Sequence, residues 1–123
     1  MAVAKGGGVP TYAERCATRL AKLQAGAQAF AEYCATKQDI VALFAFGSFA
    51  RRSVHPWSDL DLLIVRETSA PPLHRADDLY QEAPLRVGFD ALVVTPDEYR
   101  ERLPLTPFGR TILGQARRLY ERQ

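Results

Sequence analysis

The sequence predicts an α/β (α+β) fold in which a small mixed β-sheet is flanked by helices. Three short apolar runs, each bounded by glycine, proline or charged residues, have the length and composition of strands. A long stretch with apolar residues at intervals of three and four precedes them, and prolines open further helical segments between and after them. A chain of 123 residues can bury one modest core and is too short for two ordinary domains.

The first predicted element is a long helix from Thr11 to Lys37, and Gly26 in its middle is a position where the helix could break. Cys16 and Cys34 would lie roughly 27 Å apart on this helix, which is beyond disulfide reach and consistent with a reducing cytoplasm. One face of the helix carries the apolar residues Cys16, Leu20, Leu23, Ala27, Phe30 and Cys34.

Three strands are predicted after this helix. The apolar run from Ile40 to Phe46 predicts the first, the segment from Asp59 to Val65 the second, and the segment from Leu85 to Val94 the third. The end of the first strand can meet the start of the second only if these two strands run antiparallel. The helical crossover between the second and third strands favours a parallel pair.

Proline and threonine mark the starts of the remaining helices. Pro71-Pro72 opens a helix before the third strand, and Thr95 begins a short helix with a capping-box pattern. Thr106-Pro107 starts a last helix that continues to Leu119. On this helix Arg117-Arg118 would lie on a solvated face.

Composition and charge are those of a globular protein, with 47% hydrophobic and 24% charged residues. A net charge of +2 without a basic stripe does not favour direct nucleic-acid binding. The chain has no signal-peptide pattern and no window approaching about 18 consecutive apolar residues, so we predict a cytoplasmic protein without a membrane span. The small, glycine-rich residues 1–10 predict a disordered arm, followed by a single domain over residues 11–123.

The most informative pattern is a glycine-serine turn that is followed, after ten residues, by two aspartates. Gly47 and Ser48 end the first strand, where backbone N–H groups of a sharp turn can hold a phosphate. Asp59 and Asp61 begin the second strand, and its two-residue period directs both carboxylates to one face. Carboxylates this close repel each other unless a cation or a raised pKa compensates. Beside a phosphate-holding turn, they predict a site for Mg²⁺ and a nucleoside triphosphate.

Several other residues near this pattern have more than one interpretation. Asp90 lies between apolar neighbours, either as a buried structural acid or as a third carboxylate beside the first two. Ser48 could cap the helix that follows it while holding phosphate, and Ser58 could contact phosphate or form a cap or a turn. Arg51 could stabilise triphosphate charge. Trp57 could stack on a nucleotide base or anchor its loop at the surface.

Together these residues resemble the signature of the DNA polymerase β-like nucleotidyltransferase superfamily, which is Gly-Ser, ten residues, Asp-x-Asp and a later third carboxylate. The resemblance covers roughly residues 12–121 and implies that superfamily's core fold, with ATP as substrate and two Mg²⁺ ions as cofactors. The sequence departs from the family at Arg52, where glycine is common. The resemblance implies that Asp59, Asp61 and Asp90 are catalytic and bind metal, and that Gly47, Ser48, Arg51 and Ser58 bind the nucleotide.

Within the superfamily, the length of the chain and its pattern from Thr106 to Leu113, ending in Leu119-Tyr120, resemble the minimal nucleotidyltransferases, or MNT proteins. Such proteins typically pair with a helical HEPN ribonuclease toxin and act as its antitoxin. The resemblance implies a hetero-oligomer in which AMP moves from ATP to a tyrosine hydroxyl of the toxin. A chain of this length also leaves no residues for a second domain to hold the acceptor, which favours a protein that docks by its own surface.

Two alternatives stay open for the function. In the first, the protein is a non-catalytic antitoxin that neutralises its partner by binding alone. In the second, it is a nucleotide-sensing regulatory subunit. An intact set of three carboxylates favours catalysis over both.

Overall fold

A computed structural model of the protein describes residues 8–123, so most of the predicted disordered arm lies outside the described residues. Four strands form a mixed sheet: β1 (Ile40–Phe46), β2 (Leu60–Arg66), β3 (Phe89–Val94) and β4 (Arg117–Glu121). The strand order is β3-β2-β1-β4. β1 pairs antiparallel with both β2 and β4, whereas β2 and β3 run parallel. The predicted mixed sheet and its two predicted strand pairings are confirmed.

Five α-helices accompany the sheet in residues 8–123, and none of them is long and apolar enough to cross a membrane. Short 3₁₀ turns at Pro72–His74 and Leu103–Leu105 lie in the connections. The helices are α1 (Tyr12–Cys34), α2 (Gly47–Arg51), α3 (Asp77–Glu82), α4 (Pro96–Glu101) and α5 (Pro107–Gln115).

The hydrophobic core has two parts, one on each face of the sheet. The larger part lies under α1, which buries Phe30 completely. The smaller part lies under α4 and α5 and includes Ile112. Successive residues of β2 alternate between them, since Leu62 belongs to the larger part and Leu63 to the smaller. This alternation places Asp61 on the face that carries the smaller part.

The long helix α1 begins as predicted, with a capping box. The Thr11 hydroxyl accepts a hydrogen bond from the Glu14 N–H at 3.1 Å, and the Glu14 carboxylate accepts one from the Thr11 N–H at 2.8 Å. Gly26 does not break the helix. A Cβ at this position would lie 2.9 Å from Val87 Cγ2, so the glycine allows α1 to pack closely against the segment that leads into β3.

The prediction for the C-terminal segment is wrong beyond Gln115. The helix ends there, and the chain continues as β4, with Leu119 packed against the larger part of the core. Arg117 lies over the Phe49 ring on the same side, whereas Arg118 lines a depression on the opposite side. The two arginines therefore occupy opposite faces of an edge strand. The backbone hydrogen bonds of this strand come from β1, a distant partner that no local pattern indicates.

Two predicted boundaries in the crossover from β2 to β3 also differ. The third strand, predicted from Leu85, begins at Phe89, because its partner there is Leu60 and β2 has no earlier residue to pair with it. The helix predicted between these strands divides into a 3₁₀ turn and α3. Arg75 lies between the two pieces, where its guanidinium is 2.7 Å from Glu98 of α4.

A buried ion-pair network anchors the crossover at the far end of β2. Arg66 is 8% exposed, and its guanidinium donates to Asp39 at 2.7 Å and to Asp78 of α3 at 2.7 and 2.8 Å. These hydrogen bonds hold the pKa of Asp78 well below its usual range. A lowered pKa means that this carboxylate stabilises the fold at neutral pH, and that its contribution is lost progressively as the pH falls from the pKa of the unfolded chain through the lower pKa of the folded state.

Candidate active site

The parallel pairing of β2 and β3 brings two of the predicted catalytic residues together. Asp61 is the direct register partner of Asp90, and register partners present their side chains on the same face. Asp59 precedes Asp61 by two residues and has a side chain that is 51% exposed. Asp90 is also exposed, which opposes its interpretation as a buried structural acid.

The negative charges of Asp59 and Asp90 both act on Asp61. Burial raises the pKa of the Asp61 carboxyl, the negative charges of Asp90 and Asp59 raise it further, and Arg51 partly opposes them. A carboxylate that is disfavoured in this way would be stabilised by a divalent cation, and carboxylate oxygens are ligands that Mg²⁺ accepts. The three side chains therefore fit the predicted metal.

One of these aspartates is held by a cation of the protein itself. Arg19 Nη2 on α1 lies 3.3 Å from Asp59 Oδ1, and Arg19 Nε donates to the Ser58 carbonyl at 2.8 Å. Within residues 8–123, no three acidic, histidine or cysteine side chains are arranged as a ready group of metal ligands. Metal binding through all three aspartates therefore requires their side chains to move from the positions described.

The glycine-serine turn directly contacts the acidic cluster. Gly47 has φ +73°, and a Cβ on it would lie 2.1 Å from Asp61 Oδ2. Only glycine permits both this backbone conformation and this approach. The turn predicted to hold phosphate and the carboxylates predicted to hold metal are therefore adjacent. No side chain caps the start of α2, so the capping alternative for Ser48 is not realised.

Gln115, at the end of α5, also belongs to this site and was not predicted. Its side-chain carbonyl accepts a hydrogen bond from the Gly47 N–H at 3.0 Å and lies 3.5 Å from Arg51 Nη1. Gln115 is 68 residues from Gly47 in sequence, so no local pattern could have indicated it. It fixes the turn and lies beside the guanidinium predicted to contact the triphosphate.

The loop before Asp59 is braced by Ser58. The Ser58 side chain is buried, and its hydroxyl accepts a hydrogen bond from the His55 N–H at 2.9 Å. This geometry supports turn formation and opposes direct phosphate contact. Trp57 is 67% exposed, with its ring centre 4.6 Å from that of His55. Of its two interpretations, the surface aromatic agrees better with this position.

Tyr80 is a second residue that the sequence did not indicate. Its hydroxyl accepts a hydrogen bond from the Ala91 N–H at 2.8 Å, and its ring stacks on that of Phe89 with centres 4.7 Å apart. These two contacts hold the residues on either side of Asp90. Tyr80 thereby supports the edge strand that carries the third carboxylate.

At Arg52, where the family commonly has glycine, the backbone adopts a conformation that is typical of glycine. Arg52 follows α2 with φ +62° and ψ +38°, and in residues 8–123 it is the one non-glycine residue with a positive φ. This left-handed conformation is the one that glycine adopts without cost. The arginine therefore keeps the geometry that a glycine would give, at an energetic cost.

We expect Arg52→Gly to raise the free energy of unfolding by up to about 1 kcal/mol, because relief of the left-handed strain exceeds the entropy that glycine adds to the unfolded chain. Urea denaturation measures the change. Ser53→Gly is the matched control, since the φ of Ser53 is not positive, and it should lower the stability. If Arg52→Gly lowered the free energy of unfolding, the left-handed backbone of Arg52 would not be a source of strain.

Comparison with known proteins agrees with this geometry. Residues 28–123 match the family described as Polymerase beta, Nucleotidyltransferase. This match covers well over half of the chain, and the protein belongs to the polymerase β nucleotidyltransferase family. Nucleotidyl transfer is thus the general chemistry of its domain. No curated protein matches the chain.

A solved structure shows the same fold. It is described as the crystal structure of a "putative nucleotidyltransferase" from Sulfolobus solfataricus. The two chains are 20% identical, with a TM-score of 0.58, and the match covers 77% of this chain and 84% of the other. The predicted polymerase β-like fold is confirmed.

Proposed function

We propose that this protein is a Mg²⁺-dependent nucleotidyltransferase that moves AMP from ATP to a hydroxyl of a partner protein. The observation that carries the proposal is the register pair of Asp61 and Asp90 beside Gly47. The contact between Asp61 and Asp90 and the contact between Gly47 and Asp61 both involve residues of the motif that resembles the family signature. Together these residues form a carboxylate pair beside a turn that can hold phosphate, which is the arrangement needed for transfer from a triphosphate.

The reaction follows from the positions of these side chains. Asp59, Asp61 and Asp90 would hold two Mg²⁺ ions, which neutralise the charge of the triphosphate and of the departing pyrophosphate when bound. The turn at Gly47 and Ser48 would bind the terminal phosphates, supported by Arg51; the Gly47 N–H becomes a donor to phosphate only when Gln115 releases it. The acceptor oxygen attacks the α-phosphorus, its proton passes to Asp90, and the bond to pyrophosphate breaks.

Asp90 is suited to receive that proton because it is exposed at the edge strand. An acceptor hydroxyl can reach it from solvent without a rearrangement of the core. The same openness suits a macromolecular acceptor that brings its own surface. We propose that this acceptor is a tyrosine of a helical HEPN-type toxin, and that the protein acts as an antitoxin in a hetero-oligomer, on the strength of the resemblance to minimal nucleotidyltransferases.

Co-expression with a helical protein encoded beside it tests this proposal. With ATP and Mg²⁺, the complex should give a partner whose mass is increased by one or more AMP units, located on tyrosine by fragmentation. The Asp59→Asn/Asp61→Asn variant is the control and should give no adduct. A partner fully neutralised by this variant, with no adduct from the wild type, would support the binding-only antitoxin instead.

The role of Asp90 can be separated from nucleotide binding. We expect Asp90→Asn to remove transfer while retaining part of the ATP affinity, because Asp59 and Asp61 can still hold one metal. The variant should fold normally, since Asp90 is exposed and its charge raises the pKa of Asp61. Calorimetry and the transfer assay measure the two properties. Normal transfer by Asp90→Asn would exclude Asp90 as the third carboxylate.

A further inference from the structure

A cavity of about 500 Å³ opens at the C-terminal end of α2, between α1 and β4. The function proposed above uses Gly47, which meets Asp61 at the other end of α2, and Arg51, whose guanidinium lies by Gln115 and does not line this cavity. The cavity has an apolar wall, with Leu20 and Val54 among its residues, and two cationic groups, Arg52 and Arg117. Its volume lies in the range of small-ligand sites.

The two guanidinium groups of this cavity have no carboxylate partner. Within residues 8–123, no ion pair involves Arg52 or Arg117, whereas the neighbouring Arg118 pairs with Glu121. Arg117 is instead held with its guanidinium 4.7 Å from the centre of the Phe49 ring. One face of this flat cation rests on Phe49, and such a group can stack a second ring on its other face.

The backbone of Arg52 gives an independent reason to connect this residue with a ligand. Its φ of +62° is strained for a residue with a side chain. Strained residues are frequent at binding sites, where the side chain compensates for its cost to stability. Here the strained residue supplies one of the two unpaired cations of the cavity.

We propose that this cavity binds a small aromatic anion, a flat ring that carries a phosphate or a carboxylate. The ring lies along the apolar wall and stacks on Arg117. Arg52 binds the anionic group, because a guanidinium forms paired hydrogen bonds with either oxyanion. This site does not depend on the proposed transfer reaction and does not share its residues.

Phenyl phosphate is the probe, and NMR of the backbone amides locates it. The amides of Ala17, Leu20 and Val54 should shift saturably on titration, while those of Gly47 and Ser48 stay unchanged. Shifts confined to Gly47 and Ser48 would place the probe at the active site and overturn the proposal. Absence of saturable shifts at millimolar probe would also overturn it.

Variants of the two arginines, and probes that carry only the ring or only the anion, separate the contributions of charge and of stacking to the binding of phenyl phosphate. Arg52→Gly should weaken phenyl phosphate binding about tenfold or more, since a charge-assisted hydrogen bond is lost, although this variant is expected to be the more stable protein. Arg117→Gln should weaken binding similarly. Arg118→Gln removes the same charge from the opposite face of β4 and should leave the affinity unchanged.

Inorganic phosphate and phenol, each tested alone, should bind more weakly than phenyl phosphate. Benzoate compared with phenyl phosphate identifies the preferred oxyanion. Equal affinity of wild type, Arg52→Gly and Arg117→Gln for phenyl phosphate would overturn the proposal.

Discussion

The Asp59→Asn/Asp61→Asn variant is expected to lose about 10³-fold or more of the transfer rate, while its fold is at least as stable as that of the wild type. The first effect follows from the loss of two metal-binding carboxylates. The second follows from the raised pKa of Asp61, because its charged form is disfavoured by burial and by Asp90. The transfer assay and thermal unfolding measure these two effects, and calorimetry with Mg²⁺ and ATP measures the accompanying loss of metal-dependent ATP binding.

The raised pKa of Asp61 determines how the stability of the wild type changes with pH, and therefore whether the substitution raises or lowers it. The pKa of Asp61 is raised in the folded state, so the unfolded chain releases this proton at a lower pH. Native stability therefore falls as the pH rises from the unfolded pKa through the folded one, and stays lower above it. Asp61→Asn removes this loss. Mg²⁺ should raise the melting temperature of the wild type at neutral pH and have little effect on the double variant.

Equal Mg²⁺-dependent ATP affinity in the wild type and the double variant would reject these two residues as metal ligands. A large loss of stability in the variant would show that the aspartates support the fold. Either result is distinguishable from a failure of the proposed acceptor, because neither measurement requires a partner protein.

Gly47→Ala is expected to be the second severe substitution, lowering the free energy of unfolding by about 1–3 kcal/mol and transfer at least a hundredfold. The new Cβ would lie 2.1 Å from Asp61 Oδ2, at a φ of +73° that alanine adopts at a cost. The turn must move away from the carboxylate, and the phosphate-binding N–H groups move with it. Denaturation and the transfer assay report the two losses separately.

Gly114→Ala is the matched control for this substitution. Gly114 is exposed in α5, and a Cβ there would have no neighbour within 4 Å. Alanine in an exposed helix should stabilise the protein by about 0.5–1 kcal/mol relative to glycine. Wild-type stability and transfer in Gly47→Ala would contradict the close contact between the turn and Asp61.

Much of the fold follows from patterns that are local in the sequence. The capping residues of α1 and α4 and the apolar run of β1 are recognisable from neighbouring residues alone. So is the aspartate pair, although β2 begins at Leu60, one residue later than predicted, and only Asp61 of the pair lies in the strand. β4 is different, because its five residues, Arg117–Glu121, are mostly charged and form a strand only through pairing with β1. The spacing of Ile112 and Leu119 also resembles a helix face, which favoured the wrong assignment.

The residues of the candidate site also fall into two groups, those that a local sequence pattern indicates and those that only the tertiary fold brings together. Its carboxylates and its glycine-serine turn were visible as a spaced motif. Arg19, Tyr80 and Gln115 reach the site from other elements, and the contacts of Arg19 and Gln115 there span 39 to 68 residues of sequence. Nothing in the residues around them marks these roles. They become recognisable only when the tertiary fold is known.

The parallel placement of β3 has a consequence for the order in which the protein folds. The antiparallel pair of β1 and β2 is closed by residues 47–59, whereas β3 joins β2 only after the crossover of residues 67–88 closes a longer loop. Contacts across longer loops pay more chain entropy and tend to form later. By this argument Asp90 reaches Asp61 after the hairpin that carries the glycine turn has formed. The repulsion between the two carboxylates then opposes the docking of β3 onto β2 and does not oppose formation of the hairpin.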